Sequence, residues 1–359
     1  MHNAKYLATR DQDRFVSPEN WDFSIYSFDP KSFWYSKTNL PLSDDFEIVR
    51  YDFRGRVRFN AGLRKKGLQL NFIDSYSTAQ SRLQGMGKID SILMITIGGH
   101  DWDGLSDVGA LGIELNFSES LASQILTPEV LFAMENMRKL FGSGRSIVVH
   151  PSAAALGLKN LALKVLGNFD IKTGIRFDDV NSNLDLPSIN IPENIEDEFK
   201  DEFNYDTLVE MSKNVINEIT LDNMIDNRMG SKARRDLALK IETLLWMPPT
   251  GSGYLKDITI DELCDVLKVS RRTIQLSVQE QFGLGFIAFK RLIRLHQIRE
   301  LLLKQNSYKS ITTIASEHYI NHLGRFAGHY RDFFGTLPSR DNKIRPNKPL
   351  SYFNDIMYD

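Results

Sequence analysis

The stretch Thr259–Phe282, TIDELCDVLKVSRRTIQLSVQEQF, constrains the chain more than any other. It holds two helical patterns with almost nothing between them. Thr259 and Glu262 stand at the spacing of a capping box, and Ile260, Leu263, Val266 and Leu267 recur on one helical face. Val269 is left as a single-residue turn. Ser270 then opens the second helix, because its side-chain oxygen takes an orphan backbone N–H. That helix is expected to bury Ile274, Val278 and Phe282 and to project Arg272, Gln275 and Gln279 to the opposite side. Two helices joined this tightly form a helix-turn-helix.

Arg271 and Arg272 are out of place in the first turn, where the macrodipole disfavours cations. A phosphate or the edge of a base would supply the missing anion. In a helix-turn-helix the second helix lies in the major groove, its N-terminal residues at the base edges. There Arg reads guanine O6/N7 and Gln reads adenine N6/N7. A plain surface helix pair in an all-α domain is the alternative. Two further features favour DNA. A long helical stretch, FIAFKRLIRLHQIRELLLKQ, leads to a second short-turn pair: SITTIASEH, a turn at Tyr319-Ile320, and NHLGRFAGHYRDFFG. Residues 231–345 also carry 19 Lys+Arg against 11 Asp+Glu, a net +8, while the rest of the chain holds 25 against 35, a net −10. A basic segment joined to an acidic one suits a nucleic-acid binder attached to something else.

This arrangement resembles the AraC/XylS family of bacterial transcription regulators. The resemblance runs from about Ala233 to Asp341. It rests on ITIDELCDVLKVSRRTIQ, on FGLGFIAFKRLIRLHQIRELLL and on HLGRFAGHYRDFFGTLPS, with Phe334-Gly335 and Pro338-Ser339 at its close. Within the family, VSRRTIQ and the last segment look most like regulators of the ethanolamine-utilisation operon. The resemblance implies an α+β chain of two domains. A β-rich sensor, often cupin-like, would occupy residues 1–175, a connection with a helical, dimerising stretch 176–230, and an all-α double helix-turn-helix domain 231–345. It places Arg272, Gln275 and Leu276, with Gln279, at base-reading positions of a first recognition helix, about 271–282. Arg325, Gly328 and His329, with His322, take them in a second, about 322–334. Gly324 and Gly328 have no side chain to read with, so the second helix would lean on DNA shape and phosphates. Arg271, Lys290, Arg331 and Lys343 would be phosphate contacts. The implied partners are double-stranded promoter DNA, RNA polymerase, a small-molecule effector and a second copy of the chain. Two positions depart from the family: Tyr319-Ile320 replaces a Gly-Phe turn, which strains Tyr319 if the turn needs φ > 0, and Phe286 replaces a Pro.

The N-terminal half is less explicit. Residues 1–45 read as irregular, with turn clusters SPEN, DPKS and LPLSDD. Short β-branched and aromatic runs from 46 to 117 read as strands. SESLASQIL, TPEVLFAMENMRKLF and SAAALGLKNLALKVLG read as helices, with SIVVHP as one more strand. Residues 176–193 read as a connection. The acidic helical stretch after them would pack on its own domain or on a second copy.

Three places invite a ligand. Strand alternation would set Arg54, Arg56 and Arg58 on one face, able to grip an anion or a nucleotide. Arg50 and Arg54 are similar to half of the PilZ cyclic-di-GMP motif, whose other half is absent; an edge-protecting strand face is the alternative. GGHDWDGLSD offers His100, Asp101, Asp103 and Asp107 as metal or acid–base groups, or is simply a polar loop. Trp21, Phe33, Trp34 and Tyr35 would line an apolar interior or fill a core. An enzyme using His100, Asp101 or His150 is the rival class, but no nucleophile elbow, P-loop, zinc spacing or dinucleotide fingerprint supports it. A partner-controlled regulator without a small ligand stays open. No cofactor, metal or membrane span is expected, and a lone cysteine, Cys264, near a buried face, fits a cytoplasmic location.

Overall fold

The computed structural model describes residues 5–9, 21–63, 66–75, 82–83, 91–141, 146–173, 205–219, 232–247, 258–303, 309–318, 320 and 322–342. The chain divides into two compact units, the first carrying all the described strands and the second built mainly from residue 228 onward.

In the first unit, the strands are β1 (Lys5–Thr9), β2 (Trp21–Ser27), β3 (Trp34–Ser43), β4 (Phe46–Arg54), β5 (Val57–Leu63), β6 (Gly67–Ser75), β7 (Arg82–Leu83), β8 (Ser91–Ile97), β9 (Asp101–Ser106), β10 (Gly109–Ser118) and β11 (Ile147–Val149). They form two antiparallel sheets, β1-β3-β4-β10-β6-β8-β11 and β2-β5-β9-β7. Four helices belong here: α1 (Glu119–Ile125), α2 (Pro128–Phe141), α3 (Ala153–Thr173) and α4 (Tyr205–Asn217). The expectation of an irregular first 45 residues is wrong. β3 alternates buried and half-buried positions over much of its ten residues, and DPKS is a turn between β2 and β3.

Alternation explains the large sheet. On one face Ile48, Leu70, Ile95, Ile113, Leu115 and Phe117 meet Leu121, Ile125, Leu158, Val165 and the α4 residues Leu208, Val215 and Ile216. The acidic helix thus packs on its own unit, one of the two placements left open by the sequence; the rest of 194–225 lies largely outside the described residues. The opposite face is polar. Gln69 donates to Asn116 Oδ1 (2.9 Å) and Asn116 to Glu47 Oε1 (3.0 Å); Tyr51 donates to Asn71 Oδ1 (3.1 Å) and Asn71 to Glu114 Oε1 (3.3 Å). Burial, offset in part by the Lys37 charge and reinforced by Glu47, raises the Glu114 carboxyl to about 7. Gly112 lies opposite Tyr51 in the register, and a Cβ there would fall 2.0 Å from the ring. Ile25, Phe33, Tyr35, Tyr51 and Val57, with Phe53, form a second cluster drawn from both sheets. Phe33 and Tyr35 are therefore core.

The arginine face does not exist as expected. Arg50 and Arg54 lie on β4, Arg56 in the turn after Gly55 (φ 100°), and Arg58 on β5 in the other sheet. Alternation fails because the chain turns a corner between 54 and 57. Each of the last three has an acid beside it: Arg54 Nη2 is 3.4 Å from Asp52, Arg56 Nε 3.9 Å from Asp107, and Arg58 Nη1 3.2 Å from Asp103. Arg58 is 1% exposed, whereas Arg54 is 62% exposed and lies over the Trp34 ring. Likewise the stretch GGHDWDGLSD, read as a polar loop, contains β9, which pairs with β5.

The second unit is helical: α5 (Lys232–Trp246), α6 (Ile260–Leu267), α7 (Arg271–Phe282), α8 (Phe286–Leu303), α9 (Ile311–Glu317), α10 (Leu323–Phe334) and α11 (Pro338–Asp341). α8 runs between the two short pairs. Phe289 on α8 stacks on Phe282 of α7 at 4.1 Å, and Leu295, Ile298 and Leu302 pack with Ile314, Ala315, Phe326 and Tyr330. A single helix therefore carries both pairs.

Candidate nucleic-acid interface

The capping box forms as the sequence requires: Thr259 Oγ1 accepts from the Glu262 N–H at 3.1 Å, and Glu262 Oε2 accepts from the Thr259 N–H at 2.8 Å. The turn is longer than the single residue expected. Lys268 caps α6 in the left-handed conformation (φ 54°, ψ 42°), Val269 follows, and Ser270 Oγ accepts from the Thr273 N–H at 3.1 Å to start α7. Among the described residues Lys268 is the one non-glycine with positive φ. The apolar face of α6 is also narrower than its spacing implies: Leu263 is fully buried, Ile260 and Leu267 are half-buried, and Val266 is 64% exposed. Eight residues make only two turns, too short for all four to reach the core. Cys264 is half-buried and free.

On α7, Ile274, Val278 and Phe282 are buried, and Arg272, Gln275, Leu276 and Gln279 are exposed together. The spacing 272-275-276-279 is one helical face. Arg271 has an intramolecular reason to sit in the first turn. Its Nη2 lies 2.5 and 2.6 Å from the two Asp261 oxygens, and that hydrogen bond raises its guanidinium above its ordinary range. An outside anion is therefore not needed to explain Arg271, and Arg272 remains an exposed first-turn cation. Asp261 was legible only as a first-turn acid of the preceding helix. Lys290 donates to the Ile258 carbonyl at 2.7 Å, and Lys343 lies outside the described residues.

The second pair repeats the plan. Ser310 Oγ accepts from the Thr313 N–H at 3.0 Å to start α9. Tyr319 lies outside the described residues; the Ile320 N–H bonds the Ala315 carbonyl at 2.9 Å. α10 begins after His322, which makes no side-chain cap bond, and ends on Gly335 (φ 76°). Phe326 and Tyr330 are buried; His322, Arg325, His329 and Arg331 are exposed and Gly328 is half-exposed. Arg331 Nε is 3.7 Å from Asp332. A Cβ at Gly324 or Gly328 would meet nothing within 4 Å, so packing within the chain does not require glycine there. His318, at the end of α9, is buried; burial first and then the Arg294 charge push its imidazole down to about 4.

Sequence reasoning missed a buried group behind α10. Asp341 Oδ2 accepts from the Tyr330 hydroxyl at 2.6 Å and from Arg299 Nη1 at 3.0 Å. Nothing in the stretch PSRDN marks that aspartate as buried. Elsewhere, His100 is buried and His150 exposed, and the Asp101 side chain lies outside the described residues. Among those residues no group of three or more His, Cys, Asp or Glu is placed to hold a metal, and no helix is long and apolar enough to cross a membrane.

A family model described as a helix-turn-helix domain matches residues 263–343. The probable thc operon regulatory protein of Rhodococcus erythropolis is 31% identical over 90 residues, 25% of this chain and 27% of that protein. The XylDLEGF operon transcriptional activator 2 of Pseudomonas putida is 31% identical over 85 residues, 23% of this chain and 54% of that protein. Residues 263–343 thus match a helix-turn-helix domain, and both curated relatives, named as operon regulators, match over a similar length. A probable AraC family transcriptional regulator from Rhodopseudomonas palustris, of known structure, is 31% identical; the match covers 32% of this chain and all of that one, with a TM-score of 0.26. The chain thus spans about a quarter and about half the length of the two curated relatives it matches, and the helix-turn-helix match falls on the helical segment.

Proposed function

We propose that the chain is a sequence-specific DNA-binding transcription regulator whose two recognition helices, α7 and α10, enter successive major grooves about one helical turn apart. The observation that carries this is the shared exposed face of Arg272, Gln275, Leu276 and Gln279, repeated in kind by Arg325 and His329 beyond a common α8. Arg272 and the two glutamines are base readers and Leu276 suits a thymine methyl; Arg331 and Lys290 position the chain on phosphates, with Arg271 joining them if DNA displaces Asp261. One copy would read an asymmetric site, and a homodimer a direct or inverted pair. RNA polymerase is the partner through which such binding acts. Selection of sites from a random duplex library by the full chain tests this: a two-part consensus supports it, and absence of any enriched sequence refutes it.

We assign residues 1–175, together with α4, to a sensing role. The effector contact is better sought on the polar face of the large sheet than on Arg50, Arg54, Arg56 and Arg58. Three of these arginines already have carboxylate neighbours. Glu114 on that face is half-buried and accepts from Asn71, and burial raises its carboxyl to about 7, so it offers an amine an acid with which to share a proton. Thermal unfolding of the full chain against amines, including ethanolamine as the subfamily resemblance suggests, and against anions, including cyclic-di-GMP, tests the choice. A ligand at 100 times its Kd stabilises by about 2.7 kcal/mol. Shifts confined to anions would return the site to the arginines, and no shift would favour control by a protein partner.

A further inference from the structure

We infer that Asp341 is a positioning residue for the second recognition helix, fixing how α10 is rolled about its own axis; this rests on α10 reading DNA as proposed above. Three elements converge on one buried carboxylate. Asp341, on the four-residue α11, is 1% exposed. It accepts from the hydroxyl of Tyr330 on α10 (2.6 Å) and from Arg299 on α8 (3.0 Å). The Arg299 guanidinium lies 4.5 Å from the ring centroid of Phe334, one turn beyond Tyr330 on the same face of α10. Arg299 thus holds α10 twice, once over an aromatic ring and once through the shared carboxylate.

Geometry makes this a matter of orientation more than of adhesion. At ~100° per residue, Tyr330 and Phe334 lie roughly 140–180° around α10 from Arg325. They lie roughly 100–140° from His329, so the clamp grips the side turned away from both groove-facing residues. Apolar packing, such as that of Phe326 in the cluster with Ile298 and Ile314, supplies adhesion whose driving force has no preferred direction. A short hydrogen bond to an ionised oxygen is directional. A roll of α10 would stretch the Tyr330–Asp341 bond and carry Arg325 and His329 sideways in the groove. Buried ion pairs are weak sources of net stability and are best attested as devices that fix register, the role assigned here.

The test is site selection from a random duplex library by the full chain and by Tyr330→Phe, Asp341→Asn and Arg272→Ala, with thermal unfolding of each. Arg272→Ala marks which part of the consensus belongs to α7. Tyr330→Phe removes one hydroxyl and leaves the packing, so it keeps the test valid if Asp341→Asn folds poorly. The expected result is that Tyr330→Phe and Asp341→Asn still select the α7 part but lose the α10 part. Binding to the wild-type site should fall about tenfold, the scale of one charged hydrogen bond. Selection of an unchanged two-part site by Tyr330→Phe, or a fading of both parts together in step with lost thermal stability, would overturn the inference and leave the DNA-reading proposal intact. A wild-type chain that selects no sequence would overturn both.

Discussion

Alanine at position 112 would set its Cβ 2.0 Å from Cζ, 2.2 Å from the hydroxyl oxygen and 2.4 Å from Cε1 of Tyr51. No rotation of a methyl relieves that, because Gly112 is held opposite Tyr51 by the β4–β10 register. The ring must swing. Overpacking of a close-packed interior costs about 1–3 kcal/mol. Swinging also breaks the Tyr51–Asn71 hydrogen bond, and leaving a buried amide oxygen unpaired costs about 1–3 kcal/mol more. Gly112→Ala should therefore lose about 2–6 kcal/mol of first-unit stability, read by urea unfolding monitored through β-sheet circular dichroism. The same substitution in a Tyr51→Ala background should cost less than about 1 kcal/mol, since the obstructing ring is gone. A single variant within about 0.5 kcal/mol of wild type, or a double variant whose losses simply add, would refute the register and the polar face built on it.

The left-handed Lys268 costs roughly 1–2 kcal/mol against a conformation glycine adopts freely, offset by about 0.4–1 kcal/mol of glycine's extra unfolded-state entropy; Lys268→Gly should leave the second unit unchanged to about 1.6 kcal/mol more stable by urea unfolding, and a clear loss would contradict the αL turn. His318 gives a pH signature. Its folded-state value of about 4 lies below the ordinary ~6.5, so the unfolded chain binds a proton that the folded chain refuses. Stability is complete above pH ~6.5 and falls as pH drops toward ~4, by up to about 3 kcal/mol. His318→Gln should flatten that loss in unfolding measured at neutral and mildly acid pH; an unchanged slope would mean that the imidazole is not shielded.

Much of the helical half was legible because its signals are local. Capping residues at Thr259 and Ser270 and the buried run Ile274, Val278, Phe282 all act within a turn or two. The exposed Arg272, Gln275 and Gln279 followed as their complement. What failed depended on residues far away in sequence. Asp261 satisfying Arg271 and Asp341 joining Arg299 to Tyr330 are tertiary pairings with no local mark. The arginine face failed because alternation was carried through Gly55, where the strand ends and the chain passes to the other sheet. The polar face did have a trace: Gln69 and Asn71 in GLQLNFI, and Glu114 and Asn116 in GIELNFS, alternate with apolar residues in two strands. Alternation alone reads such residues as solvent-facing; only the pairing of β4, β10 and β6 brings them together with Tyr51 and Glu47.

The most direct test of the central claim is to measure binding of wild type and Arg272→Ala to the selected site and to its full set of single-base variants at one fixed salt concentration. Arg272→Ala should lose roughly 1–3 kcal/mol on the best site, with discrimination relaxed at one base pair. An equal loss on every sequence would make Arg272 a phosphate contact, and no loss at all would remove α7 from the groove.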